Sequence, residues 1–380
     1  LPVFQRYPIV LERGEGAYVY DNTGKKYLDF LGGIAVNVLG HNHKDLVQAV
    51  QEQAGKLIHC SNLYCTKPQA DAAAKLVKLS GLDKAFFANS GAEANEGAIK
   101  IARKYGYSIN PEKTEIISAW DSFHGRTLAT LTATGQTHYH EGLGPLPAGF
   151  TYVHYNDIQE LESMMSEKTC AVMLETIQGE GGVYTPQGDY LKQVRALCDK
   201  YGALLILDEI QAGIGRSGCF FAYDKYGIKP DIVTLAKGLA GGVPIGAFIA
   251  RGEVAKAMQP GDHGTTFGGH PVCCAAALAA IGEMEDKHLA ENAARMGDYF
   301  MGLFRTLPHV KEVRGQGLLV GVEFEDISGV EVKHKCFDKH LLITAIGEHI
   351  IRMVPPLIIT KDDCDKAFSI IKEAVGELTA

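Results

Sequence analysis

The sequence predicts an α/β protein with a mostly parallel central sheet and a second, smaller domain. Two apolar runs, residues 204–207 and 232–235, are short, branched or Leu-rich, and bounded by Gly and Pro. Strands buried on both faces of a parallel sheet have that composition. Segments with helical spacing alternate with such runs, and 380 residues suffice for a large core and more than one domain. In open parallel sheets the chemistry sits just past the carboxyl ends of the strands. Those ends carry Asp208 and Lys237, an acid and an amine delivered to one rim.

Taken in order, the first 40 residues mix short apolar runs with Gly pairs. VYDNTGKKYLDF reads as a hairpin turning at Asn22-Thr23-Gly24. The Gly-rich GGIAVNVLGHNH follows. Leu46, Val47, Val50, Ala54 and Leu57 give 44–57 a helical spacing between the two domains; 68–79 is a further helix and 84–88 a strand. NSGAEAN comes next, ahead of helical spacing over 96–105. Ser90 with Glu93 three residues on is a capping box, which needs no ligand. The same helix start offers free N–H groups and a positive dipole end, which suit a phosphate, and Gly91 admits a close approach.

Residues 115–120 read as a strand ending at DSFHGRT, 127–156 as loops over the site, and 157–167 as a helix. A strand over 170–174 runs into ETIQGEGG, where Glu175 and Glu180 flank a Gly-rich turn without the spacing of a calcium loop. A helix over 187–201 precedes the strand at 204–207; VPIGAFIA reads as a strand and HGTTFGGHP as a loop. Helices over 273–285 and 289–307 follow, then strands within 311–325. HIIRMVPPLII sets Arg352 among apolar residues, where an arginine needs a partner.

An acid and an amine at a sheet edge are most often a plain ion pair. Here Gly-Leu-Ala-Gly-Gly after Lys237 leaves space around the amine, and Asp208 follows four apolar residues, so its desolvation calls for a cation. Pyridoxal phosphate needs this combination: a lysine for covalent attachment and an acid on its pyridinium nitrogen. LILDEIQAGIGRSG and TLAKGLAGGVPIGA resemble the class III pyridoxal-phosphate aminotransferases. The resemblance runs from GAYVYDNTGKKYLDFLGGIAVNVLGH to RMVPPLII and is narrowest to the branch acting on N2-acetylornithine.

That resemblance implies the type I fold of pyridoxal-phosphate transferases, with a large cofactor domain at 46–272 and a small α+β domain built from 1–45 and 273–380. It implies Lys237 and Asp208 as the catalytic pair and Ser90, Gly91 and Ala92 at the phosphate. Phe123 and Ile210 would lie on the two ring faces, and Gln211 at the phenolic oxygen. Thr266 would reach the phosphate of a partner subunit, so a homodimer is expected. Arg126 is the bidentate grip on a substrate carboxylate, for which arginine is better shaped than lysine. Arg352 would pair with Glu180 or with a substrate α-carboxylate. The implied reaction moves the terminal amino group of N2-acetyl-L-ornithine to 2-oxoglutarate, without a metal. Ile34 stands where ornithine-specific relatives carry Tyr, and it cannot hydrogen-bond a carboxylate. Thr176 replaces the usual Pro after the first Glu, which leaves Glu180 in place. Succinylornithine, ornithine, N-succinyl-diaminopimelate and 4-aminobutyrate are the competing donors. A non-catalytic anion- or nucleotide-binding protein would use the Ser90 turn but leave Asp208 and Lys237 idle.

Bulk composition agrees with such an enzyme. Apolar content of 46% and charged content of 22% are ordinary. A net charge of −8 without a long basic run argues against nucleic acid or an anionic membrane as partner. The 14 His form no metal pattern, and nine scattered Cys read as reduced thiols of a cytoplasmic protein. No apolar run is long enough to span a membrane, and the start lacks the regions of a signal peptide. The chain opens on Leu1, so a few residues are expected to precede it.

Overall fold

The computed structural model describes residues 1–379. Seven strands form the central sheet, in the order Lys84–Ala88, Gly246–Ala250, Ile232–Leu235, Leu204–Asp208, Thr169–Glu175, Glu115–Ala119, Phe150–Val153. Every pairing from Ile232–Leu235 to Phe150–Val153 is parallel. Gly246–Ala250 alone runs backwards, antiparallel to both neighbours.

Strand alternation explains the unbroken apolar runs. Leu205, Leu207, Val172 and Leu174 face one way, toward Tyr190, Leu191 and Val194 of the Tyr190–Tyr201 helix. Leu204, Ile206, Ala171 and Met173 face the other, toward Ala98, Ile101 and Ala102 of the Gly91–Ile109 helix. Every residue of Thr169–Glu175, Leu204–Asp208 and Ile232–Leu235 is buried. With both faces covered, no polar face is needed.

Around this layer stand two four-stranded sheets. The hairpin Tyr18–Asp21 and Lys26–Asp29 forms at the expected turn, where the Asp21 carboxylate accepts from Thr23 N, Thr23 Oγ1 and Lys25 N. Its second strand pairs in parallel with Leu341–Leu342, tying the two chain ends together. Val310–Gln316 and Leu319–Phe324 join Ile350–Met353 and Thr344–Ile346 in the other sheet. The helices Lys44–Lys56 and Pro271–Asp286 pack together. Each straddles an expected domain break, at 45/46 and 272/273.

The segment 127–156 departs from the expected loops. It holds the helix Leu128–Ala133, a 3₁₀ turn at Thr137–Tyr139 and the edge strand Phe150–Val153. LATLTA sets two β-branched Thr among four good helix formers, but six residues are too few to hold a helix by propensity alone. Its start is capped from a distance instead: Glu96 Oε1 accepts from Ala129 N at 3.2 Å and Thr130 N at 3.4 Å.

Candidate active site

Register brings the acids and the amine together. Glu175 is paired with Asp208, and Asp208 with Thr234, in the parallel ladder. Lys237 lies two residues beyond Leu235 and opens on the same rim. Between these ends lies a cavity of about 370 Å³ lined by Ser90, Gly91, Ala92, Phe123, Arg126, Asp208, Ile210, Gln211 and Lys237, with Glu175, His124 and Val36 among the further wall residues. Nine of the twelve residues singled out in the sequence therefore share one cavity.

The helix Gly91–Ile109 starts at the cavity wall, five residues before the expected start. Ser90 caps it, its Oγ accepting from Glu93 N at 3.2 Å. The reciprocal Glu93 bond goes one residue further back than a capping box requires, to Asn89 N at 2.6 Å. The N–H groups of Gly91 and Ala92 have no acceptor within the helix. A Cβ on Gly91 would sit 2.8 Å from Ile210 Cδ1, so a side chain here would press on Ile210 at the cavity wall.

Lys237 adopts a left-handed backbone, φ 40°, worth roughly 1–3 kcal/mol of strain in a non-Gly residue. The fully buried strand before it and the 3₁₀ turn Lys237–Ala240 hold it there. Gly238 follows because a Cβ would meet Val38 Cγ1 at 2.6 Å. Burial pushes the Lys237 ammonium down; Glu180 opposes that, while Arg352 adds to it. The result favours a neutral, nucleophilic amine.

Asp208 is fixed from two sides. Asn95 Nδ2 and His124 Nδ1 both donate to Oδ2, at 2.7 and 2.8 Å, and Ile210 N donates to Oδ1 at 2.9 Å. Asn95 Nδ2 also donates to His124 O at 2.7 Å, locking the two clamps to each other. Neither Asn95 nor His124 is marked by the sequence. Asn95 sits at an ordinary helical position, and His124 is shadowed by Phe123.

Two more buried carboxyls flank the site. Glu175 accepts from Phe123 N and Gly179 N, both at 3.1 Å, and burial raises it to about 7. It thereby joins the loop carrying Phe123 to the loop carrying Glu180. Glu209 accepts from Thr176 Oγ1, Ala222 N and Tyr223 N and is likewise pushed up by burial to about 7. Thr176 thus has a hydrogen-bonding task that a Pro at this position would not perform.

Arg352 is buried and aims Nη1 at Glu180 Oε1 (2.6 Å), Gln211 Oε1 (3.0 Å) and Gly179 O (3.1 Å). Gln211 Nε2 also donates to Glu180, at 3.1 Å. Gln211 is therefore engaged with this pair as well as lining the cavity. Burial would raise the Glu180 carboxyl, but the charges of Arg352 and Lys237 together with the hydrogen bonds from Arg352 and Gln211 outweigh it and hold the group below the usual range. Thr266 lies apart: it is exposed and off the cavity wall. Ile34 is also off the wall, 44% exposed in a left-handed turn, and Val36 takes the place on the wall. Arg216 is structural, buried with Nη1 donating to Leu318 O at 3.0 Å. His43, Asp45 and Glu283 could together ligate a metal, but none of them lines the cavity. All nine cysteines are free, and among the described residues no helix is long and apolar enough to cross a membrane.

The residues present fit pyridoxal phosphate. The helix start lacking a Cβ at Gly91 suits its phosphate, and the clamped Asp208 suits its ring nitrogen. Phe123 and Ile210 offer ring contacts, and a largely buried amine stands at the cavity floor.

Comparison with known proteins gives the same reading. The family model for class-III aminotransferases matches residues 3–375. The chain is 49% identical to the acetylornithine aminotransferase of Methanocaldococcus jannaschii, covering 100% of this chain and 96% of that one. It is also 49% identical to that of Caldanaerobacter subterraneus subsp. tengcongensis, covering 100% and 97%. Among solved structures, the ornithine aminotransferase of Toxoplasma gondii superposes with a TM-score of 0.95 at 35% identity, covering 100% of this chain and 93% of that one. The (S)-enantioselective omega-transaminase of Thermomicrobium roseum gives 0.95 at 33%, covering 100% and 96%. With a family match across the chain and one cavity holding the lysine, its acid and the open helix start, this chain belongs to the class-III aminotransferase family.

Proposed function

We propose that the protein transfers the terminal amino group of N2-acetyl-L-ornithine to 2-oxoglutarate, giving N-acetyl-L-glutamate 5-semialdehyde and L-glutamate, with pyridoxal 5′-phosphate as cofactor. The observation that carries this reading is the Arg352–Glu180 pair at 2.6 Å, close enough for both charges to act on Lys237. One pocket must accept a donor whose amine is far from its carboxylate and an acceptor whose keto group adjoins one. With Glu180 on Arg352, the inner cation is covered and a terminal amine can approach Lys237. With Glu180 displaced, the Arg352 guanidinium is free for the α-carboxylate of 2-oxoglutarate or glutamate. Arg126, on the cavity wall, takes the carboxylate at the far end. The relatives named acetylornithine aminotransferase support the choice of donor.

When bound, the cofactor supplies the electron sink that lets the amino group change carriers. The chain supplies the rest. Lys237 Nζ moves the proton at the amine-bearing carbon, which its depressed basicity favours. Asp208, oriented by Asn95 and His124, would hold a proton on the ring nitrogen. Ser90, Gly91 and Ala92 would hold the phosphate, and Phe123 and Ile210 would contact the ring.

We further propose a cytoplasmic homodimer in which Thr266 of each subunit completes the other's phosphate site. The exposure of Thr266 away from its own cavity supports this. A fully active monomer in analytical ultracentrifugation, or fractionation of the protein with membranes, would count against this arrangement. The function itself is tested by steady-state glutamate formation from 2-oxoglutarate with each candidate donor. N2-acetyl-L-ornithine is expected to give the highest kcat/KM; a higher value for 4-aminobutyrate or ornithine would reject the proposed donor.

A further inference from the structure

Arg126 stands on the cavity wall with no hydrogen-bond or ion-pair partner among the described residues. Its guanidinium is nevertheless not loose. The central carbon lies 3.7 Å from the centroid of the Tyr139 ring and 5.3 Å from that of Phe123. At 3.7 Å the planar group must lie face-on over Tyr139, because an edge-on approach would drive its nitrogens into the ring. A face-on cation–π contact uses none of the five N–H donors, which all lie in the guanidinium plane.

Tyr139 is itself held firmly. It ends the 3₁₀ turn Thr137–Tyr139. On one side His140 Nε2 donates to Leu131 O and Thr134 O, both at 2.9 Å. On the other, Gln136 Nε2 donates to Ser122 O at 3.1 Å, joining the turn to the loop that carries Phe123 and Arg126. The Tyr139 ring also meets Phe123 edge-on at 6.1 Å. Two aromatic rings and two anchors thus fix the plane in which Arg126 offers its donors.

We propose that Tyr139 is a positioning residue that sets the carboxylate specificity of the pocket, acting as an aromatic shelf that orients Arg126 for a bidentate grip. The proposal rests on the assignment of Arg126 to a substrate carboxylate. The shelf acts through its ring face, not its hydroxyl, and adds binding that is equal in the ground and transition states. Its loss therefore raises KM and leaves kcat in place.

The test uses whichever ω-amino acid donor the holoenzyme turns over fastest, paired with its decarboxylated counterpart; for N2-acetyl-L-ornithine that is N-acetylputrescine. A donor other than N2-acetyl-L-ornithine would reject the proposed substrate and still leave the shelf testable. Tyr139→Leu is expected to raise the KM of the carboxylate donor roughly 3- to 30-fold, the range of a cation–π contact, with kcat within about twofold. Tyr139→Phe should rescue KM, and kcat/KM for the carboxylate-free amine should be the same in both variants. An unchanged KM in Tyr139→Leu would overturn the proposal. So would failure of Phe to rescue, since the hydroxyl would then be the active part. An equal loss with the carboxylate-free amine would also overturn it, by assigning Tyr139 a purely structural role.

Discussion

Replacing Glu180 by Gln changes one charge and little shape. In the native site Arg352 Nη1 reaches Glu180 at 2.6 Å, Gln211 at 3.0 Å and Gly179 O at 3.1 Å. Only the first of these is a bond to a charged acceptor. The Arg352 guanidinium stays ionised, so a bond to Gln is still charge-assisted. What is lost is the carboxylate charge, which for this partly buried ion pair is about 1–1.5 kcal/mol, above the range of exposed pairs and below that of fully buried ones. At 1.4 kcal/mol per tenfold, the fraction of enzyme with Arg352 available rises roughly 5- to 12-fold. Glutamate, which needs the uncovered arginine, gains; N2-acetylornithine, which does not, loses the complementary cover. The assay is kcat/KM for each in its own half-reaction, followed by stopped-flow absorbance of the cofactor. The ratio of glutamate to N2-acetylornithine should rise about 5- to 12-fold in Glu180→Gln. A ratio unchanged within error would refute the idea that Glu180 covers Arg352 selectively. A fall in both rates without a change in ratio would instead make Glu180 a support for the fold.

Other consequences follow from the same geometry. Gly91→Ala puts a Cβ 2.8 Å from Ile210 Cδ1; at about 1–3 kcal/mol for overpacking, cofactor affinity should fall roughly 5- to 150-fold, read by titrating apoprotein with pyridoxal phosphate. Asn95→Ala removes one of the two donors on Asp208 Oδ2 and should lower kcat roughly tenfold, within the cost of losing a charge-assisted bond; the visible band of the lysine-bound cofactor should shift in its pH dependence, which a merely loosened core would not cause. The apoprotein should lose stability as pH rises from about 4.5 to about 7, measured by urea denaturation. Glu175 and Glu209, each raised from an ordinary 4.5 to about 7, bind protons more tightly folded than unfolded, on the order of 3 kcal/mol apiece. Their contribution is complete below pH 4.5 and gone above 7. Lys237, with its ammonium pushed down, acts oppositely at higher pH, between its folded value and 10.5, so a flat profile across the lower window would contradict the two carboxyls.

The parts of this molecule that could be read from sequence are those where chemistry and local pattern coincide. The strands at 204–208 and 232–235 stood out because both faces are covered and, apart from Thr234, every residue is apolar until the functional one. Asp208 and Lys237 were legible as the first charges after such runs. The Ser90 cap was legible because a capping box is a local arrangement, though its Glu93 arm binds Asn89 instead. What stayed hidden depends on long-range contact. The Asp208 clamp joins residues 113 and 84 positions apart, and nothing in the local spacing distinguishes Asn95 from a surface polar residue. The helix Leu128–Ala133 was hidden because its cap comes from Glu96, more than 30 residues away, while six residues are too few to show a helical period. Tyr139 falls in the same class: a single aromatic in a polar segment, given meaning only by the arginine packed on it.

The most direct test of the central claim is a half-reaction without keto acid. The holoenzyme, with cofactor on Lys237, is mixed separately with N2-acetyl-L-ornithine, N-succinyl-L-ornithine, L-ornithine and 4-aminobutyrate, and loss of its visible absorption band is timed. The account predicts the fastest loss with N2-acetyl-L-ornithine, and borohydride reduction that fixes the cofactor covalently to the native chain but not to Lys237→Ala. Equal or faster loss with another donor would contradict the substrate assignment, and covalent fixation of the cofactor in Lys237→Ala would contradict the site.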